Sequence, residues 1–516
     1  MKPTRVAVLA ALGMLLSSVS VYSLTPPGGV KISAEDSAAN QAVGADSNLP
    51  AQDGTATGPG SEFQAGSTLH VDGRLGHSKL AKAGRGETFV MLEVKADPAK
   101  AKARAPVNLA LVIDRSGSMK GNRLRNAVQG ALAAIERLND GDVVSVVTFD
   151  SRTQVLVPPT TIDASSRSRV RSDVQGISLG GDTCISCGVE DGLALLERTT
   201  GRVNRMIVLS DGDATAGIRD IPGFRAMAQR ARDRGASITT IGVDVDYNEK
   251  IMTAIAADSN GRHYFVENET ALERVFEGET ESLTGTLASG TEAQIELAPG
   301  VELVRVFDRT FRRVGNRILV PLGAFAGGET KTVLVKVRVP ADKEGQQPVA
   351  DVEMTYRDHV ADSDGRCSGK LALAVADGPA SDIDAVVEGR VNRSETASVL
   401  KEANELFQQG RVADAKKKLE ARAEAVATAS AAANNRAPAT RKTDVDRDFQ
   451  SQASVLAEAN QQFATPPAVA AAPAGSAFAG GGFAQPPSAS PAPPQAARPG
   501  KAAVKQNAAR AMDMGL

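Results

Sequence analysis

Tryptophan is missing from this chain of 516 residues, aromatic side chains make up 3% of it, and it has only three cysteines and four histidines. The cysteine count excludes a disulfide-rich scaffold, and a zinc enzyme built on Cys and His has too little material. An excess of one charge is lacking too. With 59 basic against 61 acidic residues the formal net charge is −2, so no overall bias draws the chain to nucleic acid or to an anionic membrane. Catalytic loops are also missing: Gly369-Lys370 and Gly500-Lys501 are followed by Leu and Ala, so neither completes a phosphate-binding G-x-x-x-x-G-K-[ST]. There is no H-E-x-x-H. The expectation is a binding protein and not an enzyme, with recognition concentrated at one place.

What is present begins with an export pattern. Lys2 and Arg5 precede the apolar run Val6 to Leu16, and small and polar residues follow to Ser23. Residues 1–24 read as a secretory signal, with an uncleaved N-terminal membrane anchor as the rival reading. No cysteine lies near its end, which excludes a lipid-modified N-terminus, and no later run suits a second membrane helix. The rest of the chain is therefore expected on the exported side: periplasmic, at the cell surface or secreted.

Residues 25–66 are Gly, Ala, Ser, Asp and Pro without periodicity, which predicts a disordered linker. Alternation over Thr68 to Val71 and Glu87 to Lys95 predicts strands within residues 67–98. From 105 to 283, apolar strands (Asn108 to Ile113, Val143 to Phe149, Arg205 to Ser210, Ser237 to Val243) alternate with helical patterns such as Leu124, Val128, Leu132 and Ile135. That rhythm predicts an α/β domain with a doubly wound, mostly parallel sheet. Residues 284–378 carry short alternating strands that predict a β-sandwich. The strands of 67–98 are too few to fold alone and are expected to pair with it, making the α/β domain an insertion. Residues 379–463 read as a helical segment, and residues 464–516, rich in Ala, Pro and Gly, as a disordered tail.

The chemistry lies at the carboxyl ends of the predicted parallel strands, where ligands bind in open α/β sheets. The first strand runs into Asp114-Arg115-Ser116-Gly117-Ser118, whose alternating side chains can aim three oxygens at one point. Gly180-Gly181-Asp182-Thr183 precedes a helix, and Ser210-Asp211-Gly212 closes the strand Met206 to Leu209. Three hydroxyls and two carboxylates suit a hard divalent cation that keeps waters or takes an outside ligand. Asp213, Asp244 and Asp246 fall near the same edge and read as caps, with Asp246 ahead of a helix starting near Asn248. His263 reads as a strand residue, and His70 and His77 as surface positions.

Asp114-x-Ser116-x-Ser118, Thr183 and Asp211 match all five motif positions of the metal-ion-dependent adhesion site of von Willebrand factor A-type (VWA) domains, which the segment from Val107 to about Leu283 resembles. The resemblance implies Mg²⁺, with Mn²⁺ or Ca²⁺ as alternatives, contacted by Ser116, Ser118 and Thr183. Asp114 and Asp211 would orient waters, and an exposed carboxylate on a partner protein would supply the missing ligand. The wider arrangement is similar to bacterial cell-envelope VWA proteins and more loosely to the inter-alpha-trypsin inhibitor heavy chains. Metal-dependent adhesion or interaction is the function this implies, with a structural or assembly role in a cell-envelope complex as the alternative.

The cysteines depart from that pattern. Cys184 follows Thr183 directly and Cys187 lies one helical turn on. At a helix N-terminus a C-x-x-C is poised for thiol–disulfide exchange, whereas in an oxidising compartment it forms a local disulfide that stiffens the loop holding Thr183. Cys367 has no mate nearby in sequence, and is either free or paired between chains.

Overall fold

A computed structural model describes residues 60–100, 105–267, 270–463 and 497–515. The readings for residues 1–24, for most of the linker, and for 464–496 lie outside the described residues.

Four strands come first: β1 (Glu62–Ala65), β2 (Leu69–Leu75), β3 (Lys79–Ala81) and β4 (Gly84–Ala96). The α/β domain follows as β5 (Val107–Asp114), α1 (Asn122–Arg137), β6 (Val143–Phe149), β7 (Thr153–Thr161), α2 (Ala164–Gln175), α3 (Ile185–Leu196), β8 (Val203–Ser210), α4 (Ile221–Asp233), β9 (Ala236–Val243), α5 (Glu249–Asp258), β10 (His263–Val266) and α6 (Thr270–Thr284). Its sheet has the order β10-β9-β8-β5-β6-β7, parallel except for β7, which runs antiparallel to β6. The two-residue period of β5 explains the double winding. Leu109, Leu111 and Ile113 face a core shared with Leu124 and Val128 of α1 and Phe276 of α6, while Ala110 and Val112 face Val189 of α3, Phe224 of α4 and Ile251 of α5. Because β6 and β8 flank β5 on opposite sides, the chain reverses direction across the sheet there, and a crevice opens at the carboxyl ends of β5 and β8.

After α6 the chain forms β11 (Thr286–Leu297), β12 (Glu302–Phe307), β13 (Arg312–Val314), β14 (Arg317–Ala326), β15 (Thr330–Ala341), β16 (Gly345–Asp358) and β17 (Ser363–Ala376). Two sheets, β1-β2-β4-β15-β12 and β13-β14-β11-β16-β17-β3, share one apolar core that mixes Phe63, Leu92 and Val94 with Ile295, Val335 and Met354. β4 pairs antiparallel with β15 from Lys95↔Thr330 to Gly84↔Ala341. The α/β domain is therefore inserted in the sandwich, between β4 of one sheet and β11 of the other. A polar network fastens the two: Glu279 of α6 accepts from Arg205 (2.8 Å), Thr239 (2.6 Å) and Tyr264 (2.7 Å), and Arg262 reaches Glu329 of the sandwich at 2.9 Å.

The last helices are α7 (Ala385–Gln408), α8 (Val412–Arg436), α9 (Lys442–Gln462) and α10 (Ala497–Gly515), around a core that includes Leu400, Phe407, Leu419, Phe449 and Phe463. Gly410 turns the chain between α7 and α8 at φ +78°, a conformation that disfavours a side chain. Among the described residues, no helix is long and apolar enough to cross a membrane.

Two sequence expectations are corrected. Residues 62–65, assigned to a disordered linker, form β1, because Phe63 and Ala65 alternate inward and the Phe63 ring fills the space over Gly73 and Gly369. So short a strand has no periodicity to read and is fixed by its antiparallel partner β2. Residues 497–515, assigned to a disordered tail, form α10. Composition masked a helical stripe of Val504, Ala511 and Met514 that is buried against the other helices.

His263 opens β10 and is 1% exposed, with Nδ1 2.9 Å from Thr240 Oγ1 and Nε2 3.0 Å from the Tyr247 hydroxyl. Burial, aided by nearby Lys505 and opposed by Glu249, pulls its pKa from 6.5 down to about 3. The unfolded chain therefore takes up this proton first. The contribution is complete above pH 6.5 and is lost as pH falls towards 3, at about 1.4 kcal/mol per pH unit. Urea unfolding at several pH values in this window is expected to show a shallower pH slope for His263→Gln than for the native chain.

Candidate metal centre

β5 delivers Asp114 to the sheet edge at its last residue, fully buried. Asp114 Oδ1 accepts from the Ser116 backbone N–H at 2.8 Å and Oδ2 from the Ser210 hydroxyl at 2.5 Å, which ties the ends of β5 and β8 together. The tight turn Gly117–Met119 then lifts Ser118 to the surface. Ser116 Oγ lies 2.9 Å from Ser118 Oγ, and Ser118 Oγ donates to Asp211 Oδ1 at 2.7 Å. Thr183 arrives from the loop ahead of α3. A Cβ built on Gly212 would stand 3.3 Å from Thr183 Oγ1 and 3.4 Å from Ser118 Oγ, so both hydroxyls border one small space in front of Gly212. All five residues singled out by the sequence thus meet at one point.

Backbone links on both sides hold the Thr183 loop. Gly180 donates to the Arg115 carbonyl (2.7 Å), Gly117 to that of Gly181 (2.9 Å), and Cys184 to that of Asp150 (2.9 Å). Gly180 has no room for a side chain, because a Cβ there would stand 1.9 Å from Asp150 Oδ2. Thr183 N donates to the Thr215 hydroxyl, and Thr215 N returns a bond to the Thr183 carbonyl, both at 2.9 Å. Cys184 and Cys187 are joined by a disulfide at the start of α3. Gly217, at φ +69°, packs against it, where a Cβ would come within 2.6 Å of Cys184 Sγ. Cys367 is free and buried in the sandwich, and burial pushes its thiol up to about 12. That leaves the free alternative for Cys367 and sets aside a bond between chains.

Burial pushes Asp114 up to about 6, against the hydrogen bonds from Ser210 and Ser116. Asp211 is likewise raised by burial, with Ser118 and Arg123 opposing. Two desolvated carboxylates at one edge are an unfavourable arrangement that a bound cation relieves. Among the described residues no three His, Cys, Asp or Glu side chains gather as a metal-binding group, so a cation here would depend on the hydroxyls. The donor set, oxygen only, fits Mg²⁺ or Mn²⁺ and offers nothing to a soft metal.

Arg123, which the sequence reading passed over, is part of this edge. From the first turn of α1 its Nη1 reaches Asp211 Oδ2 and the Ser118 carbonyl, at 2.8 Å and 2.9 Å, while Nη2 pairs with Asp244. A cation in a helix's first turn runs against the helix dipole, and that was the available signal. Asp244 sits at φ +61°. Burial works against its charge, yet the Val245 N–H, Arg123 and Arg498 hold its pKa below the usual range. Asp246 is not a cap: it pairs with Lys501 at 3.0 Å, and α5 is capped by Asn248, which accepts from Lys250 and Ile251 N–H. Asp213 is exposed and accepts from Asn248 at 3.0 Å.

The fold and this edge define a class. Residues 108–278 match the von Willebrand factor type A domain family, so this part of the chain is a VWA domain. Relatives come from bacteria and animals. The uncharacterized protein YfbK of Escherichia coli is 27% identical over 218 residues, 41% of this chain and 37% of that protein. The uncharacterized protein sll0103 of Synechocystis is 25% identical over 285 residues, 53% of this chain and 66% of that protein. Inter-alpha-trypsin inhibitor heavy chain H4 of Bos taurus is 24% identical over 181 residues, 33% of this chain and 19% of that protein. The matched region thus spans less than two thirds of each. Among solved structures, a von Willebrand factor type A protein from Catenulispora acidiphila superposes with TM-score 0.60 at 15% identity, covering 80% of this chain and 91% of that one. The ArnB paralog VWA2 of Sulfolobus acidocaldarius does so with TM-score 0.53 at 17% identity, covering 76% and 98%. The likeness therefore extends beyond the VWA domain to the surrounding fold.

Proposed function

We propose that this is an exported, non-enzymatic binding protein whose VWA domain holds Mg²⁺ at the β5/β8 edge and captures an exposed carboxylate of a protein partner. One observation carries the reading: the hydroxyls of Ser116, Ser118 and Thr183 converge with Asp114 and Asp211 around the space in front of Gly212. VWA domains in general mediate protein–protein interaction, often with a divalent metal. When bound, the metal supplies an electrophilic centre with an unfilled coordination position. The chain's own residues do the rest: the serines and Thr183 provide neutral oxygens, while Asp114 and Asp211 provide two negative charges, one already shared with Arg123. Charge neutralisation is therefore incomplete, and an anionic partner group is attracted. Export is supported by the N-terminal sequence pattern and by the Cys184–Cys187 bond, which persists in oxidising compartments.

The test is a pull-down from native cell extract with the full chain, with and without chelator, beside Asp114→Ala. A partner retained only by the native chain with metal supports the reading. The same partner held under all three conditions overturns it in favour of a metal-independent assembly role.

The disulfide gives a further expected result. It closes the turn that follows Thr183, so reduction frees that loop on its outer side. Reduction is expected to lower Mg²⁺ affinity by roughly tenfold, the usual scale for loss of support behind a ligand. Calorimetric titration of oxidised and reduced chain checks this, and equal affinities would contradict it.

A further inference from the structure

Helix α10 touches the edge that carries the candidate metal centre, through the segment after β9. Three cations at helical spacing, Arg498, Lys501 and Lys505, line one flank. Arg498 reaches Asp244 at 2.6 Å, Lys501 reaches Asp246 at 3.0 Å, and Lys505 donates to the Tyr247 carbonyl at 2.6 Å and pairs with Glu249. Each acceptor lies in the segment just after β9, at the same sheet edge as Asp114 and Asp211.

The docking is incomplete in two respects. Asn507, at the middle of α10, is 0% exposed, and neither atom of its amide has a hydrogen-bond partner among the described residues. An unmet buried amide opposes the docked state. A cavity of about 470 Å³ lies along the helix, bordered by Val504, Ala508 and Met512 of α10, Arg225 of α4 and Lys401 of α7. α10 is held by a short apolar stripe, by the charge pairs above and Arg510–Glu458, and by polar contacts from its neighbours: Arg390 and Arg393 of α7 donate to the Met514 carbonyl (2.7 and 3.1 Å), Asn404 to that of Val504 (3.1 Å), and Gln462 of α9 to Gln506 (2.6 Å). Residues 463–496, rich in Ala, Pro and Gly, lie between it and α9.

These contacts form a continuous chain of alternating charge: Asp211, Arg123, Asp244, Arg498. Resting on the metal reading above, we infer that α10 is a displaceable internal ligand of this rim, coupled to the metal centre through Arg123 and Asp244. A divalent cation beside Asp211 repels Arg123 towards Asp244, where it competes with Arg498, and the added charge also repels Arg498 directly. Both effects have the same sign: metal weakens the docking of α10, and by reciprocity docked α10 weakens the binding of metal. Release uncovers Asp244, frees the already exposed Asp246 from Lys501 and widens the cavity, extending the acidic surface beside the centre.

The experiment uses the full chain, with Mg²⁺ alone as the probe. Mg²⁺ affinity is measured by calorimetry for the native chain, Arg498→Gln, Arg498→Lys, and Lys418→Gln as a control for net charge on a distant helix. Amide hydrogen exchange over residues 497–515 is followed with Mg²⁺ and with Na⁺ at equal ionic strength. Arg498→Gln is expected to bind Mg²⁺ about fivefold more tightly, with Arg498→Lys and Lys418→Gln close to native. Exchange in α10 is expected to rise with Mg²⁺ and not with Na⁺. Mg²⁺ binding that is equal in Arg498→Gln and native chain, or that leaves α10 exchange unchanged, overturns the coupling alone. Absence of Mg²⁺ binding to every form overturns the metal reading and the coupling with it.

Discussion

Asp114→Asn is expected to lose Mg²⁺ affinity by at least about a hundredfold while keeping its fold. Asparagine is isosteric. Its oxygen can still accept from the Ser116 N–H, and the Ser210 hydroxyl can turn to accept in place of donating at 2.5 Å. The charge is lost where it matters, because with Asp211 already shared with Arg123, Asp114 is the carboxylate at this edge without a cationic partner in contact. A thermal scan separates stability from binding. A ligand that binds only the folded chain at a hundred times its Kd adds about 2.7 kcal/mol. The native protein should show that gain with Mg²⁺ and the variant none, the two being within about 1 kcal/mol of each other without metal. Ser118→Ala, which removes one exposed hydroxyl, should fall between them. Equal Mg²⁺ stabilisation of native chain and Asp114→Asn would contradict the assignment.

Gly188→Val is expected to reduce stability by about 3 kcal/mol and to damage the metal centre from a distance. Gly188 lies in the first turn of α3, where even a Cβ would stand 2.7 Å from Phe149 Cδ1 and 2.8 Å from Val112 Cγ1. One turn on, Gly192 is equally tight against Met206 and Val112. These glycines let α3 lie close on β5, β6 and β8, and the close seating sets the height at which Thr183 meets Ser118. A valine levers the N-terminus of α3 off the sheet, and Thr183 moves with it. Chemical denaturation and Mg²⁺ titration of the same sample test both halves. A cost below about 1 kcal/mol with native metal affinity would show that the seating of α3 does not set the site.

The central sheet and the five oxygen-bearing residues were legible in the sequence for the same reason. The inner strands β5, β6, β8 and β9 are largely apolar runs because both their faces are covered, and the residue that ends such a run is placed at the sheet edge by geometry alone. Asp114 and Ser210-Asp211 occupy those positions. Thr183 was readable from the glycines before it and the helix after it. What stayed hidden depends on partners far away in sequence. β1 forms because Phe63 finds Gly73 and Gly369, which a window of four residues cannot show. α10 was read as tail because alanine, proline and glycine dominate its surroundings, although Val504, Ala511 and Met514 already carried a helical period. The chain from Asp211 through Arg123 and Asp244 to Arg498 joins four segments of the molecule, and no local window of sequence shows it.

The most direct measurement of the account is a crystal of the full chain grown with Mn²⁺ and examined by anomalous scattering. One strong peak is expected in front of Gly212, about 2.2 Å from the Ser116 and Ser118 hydroxyls, with waters or a carboxylate completing its shell. An ordered domain whose five side chains are in place but which carries no anomalous density between them, at Mn²⁺ concentrations well above physiological, would contradict it.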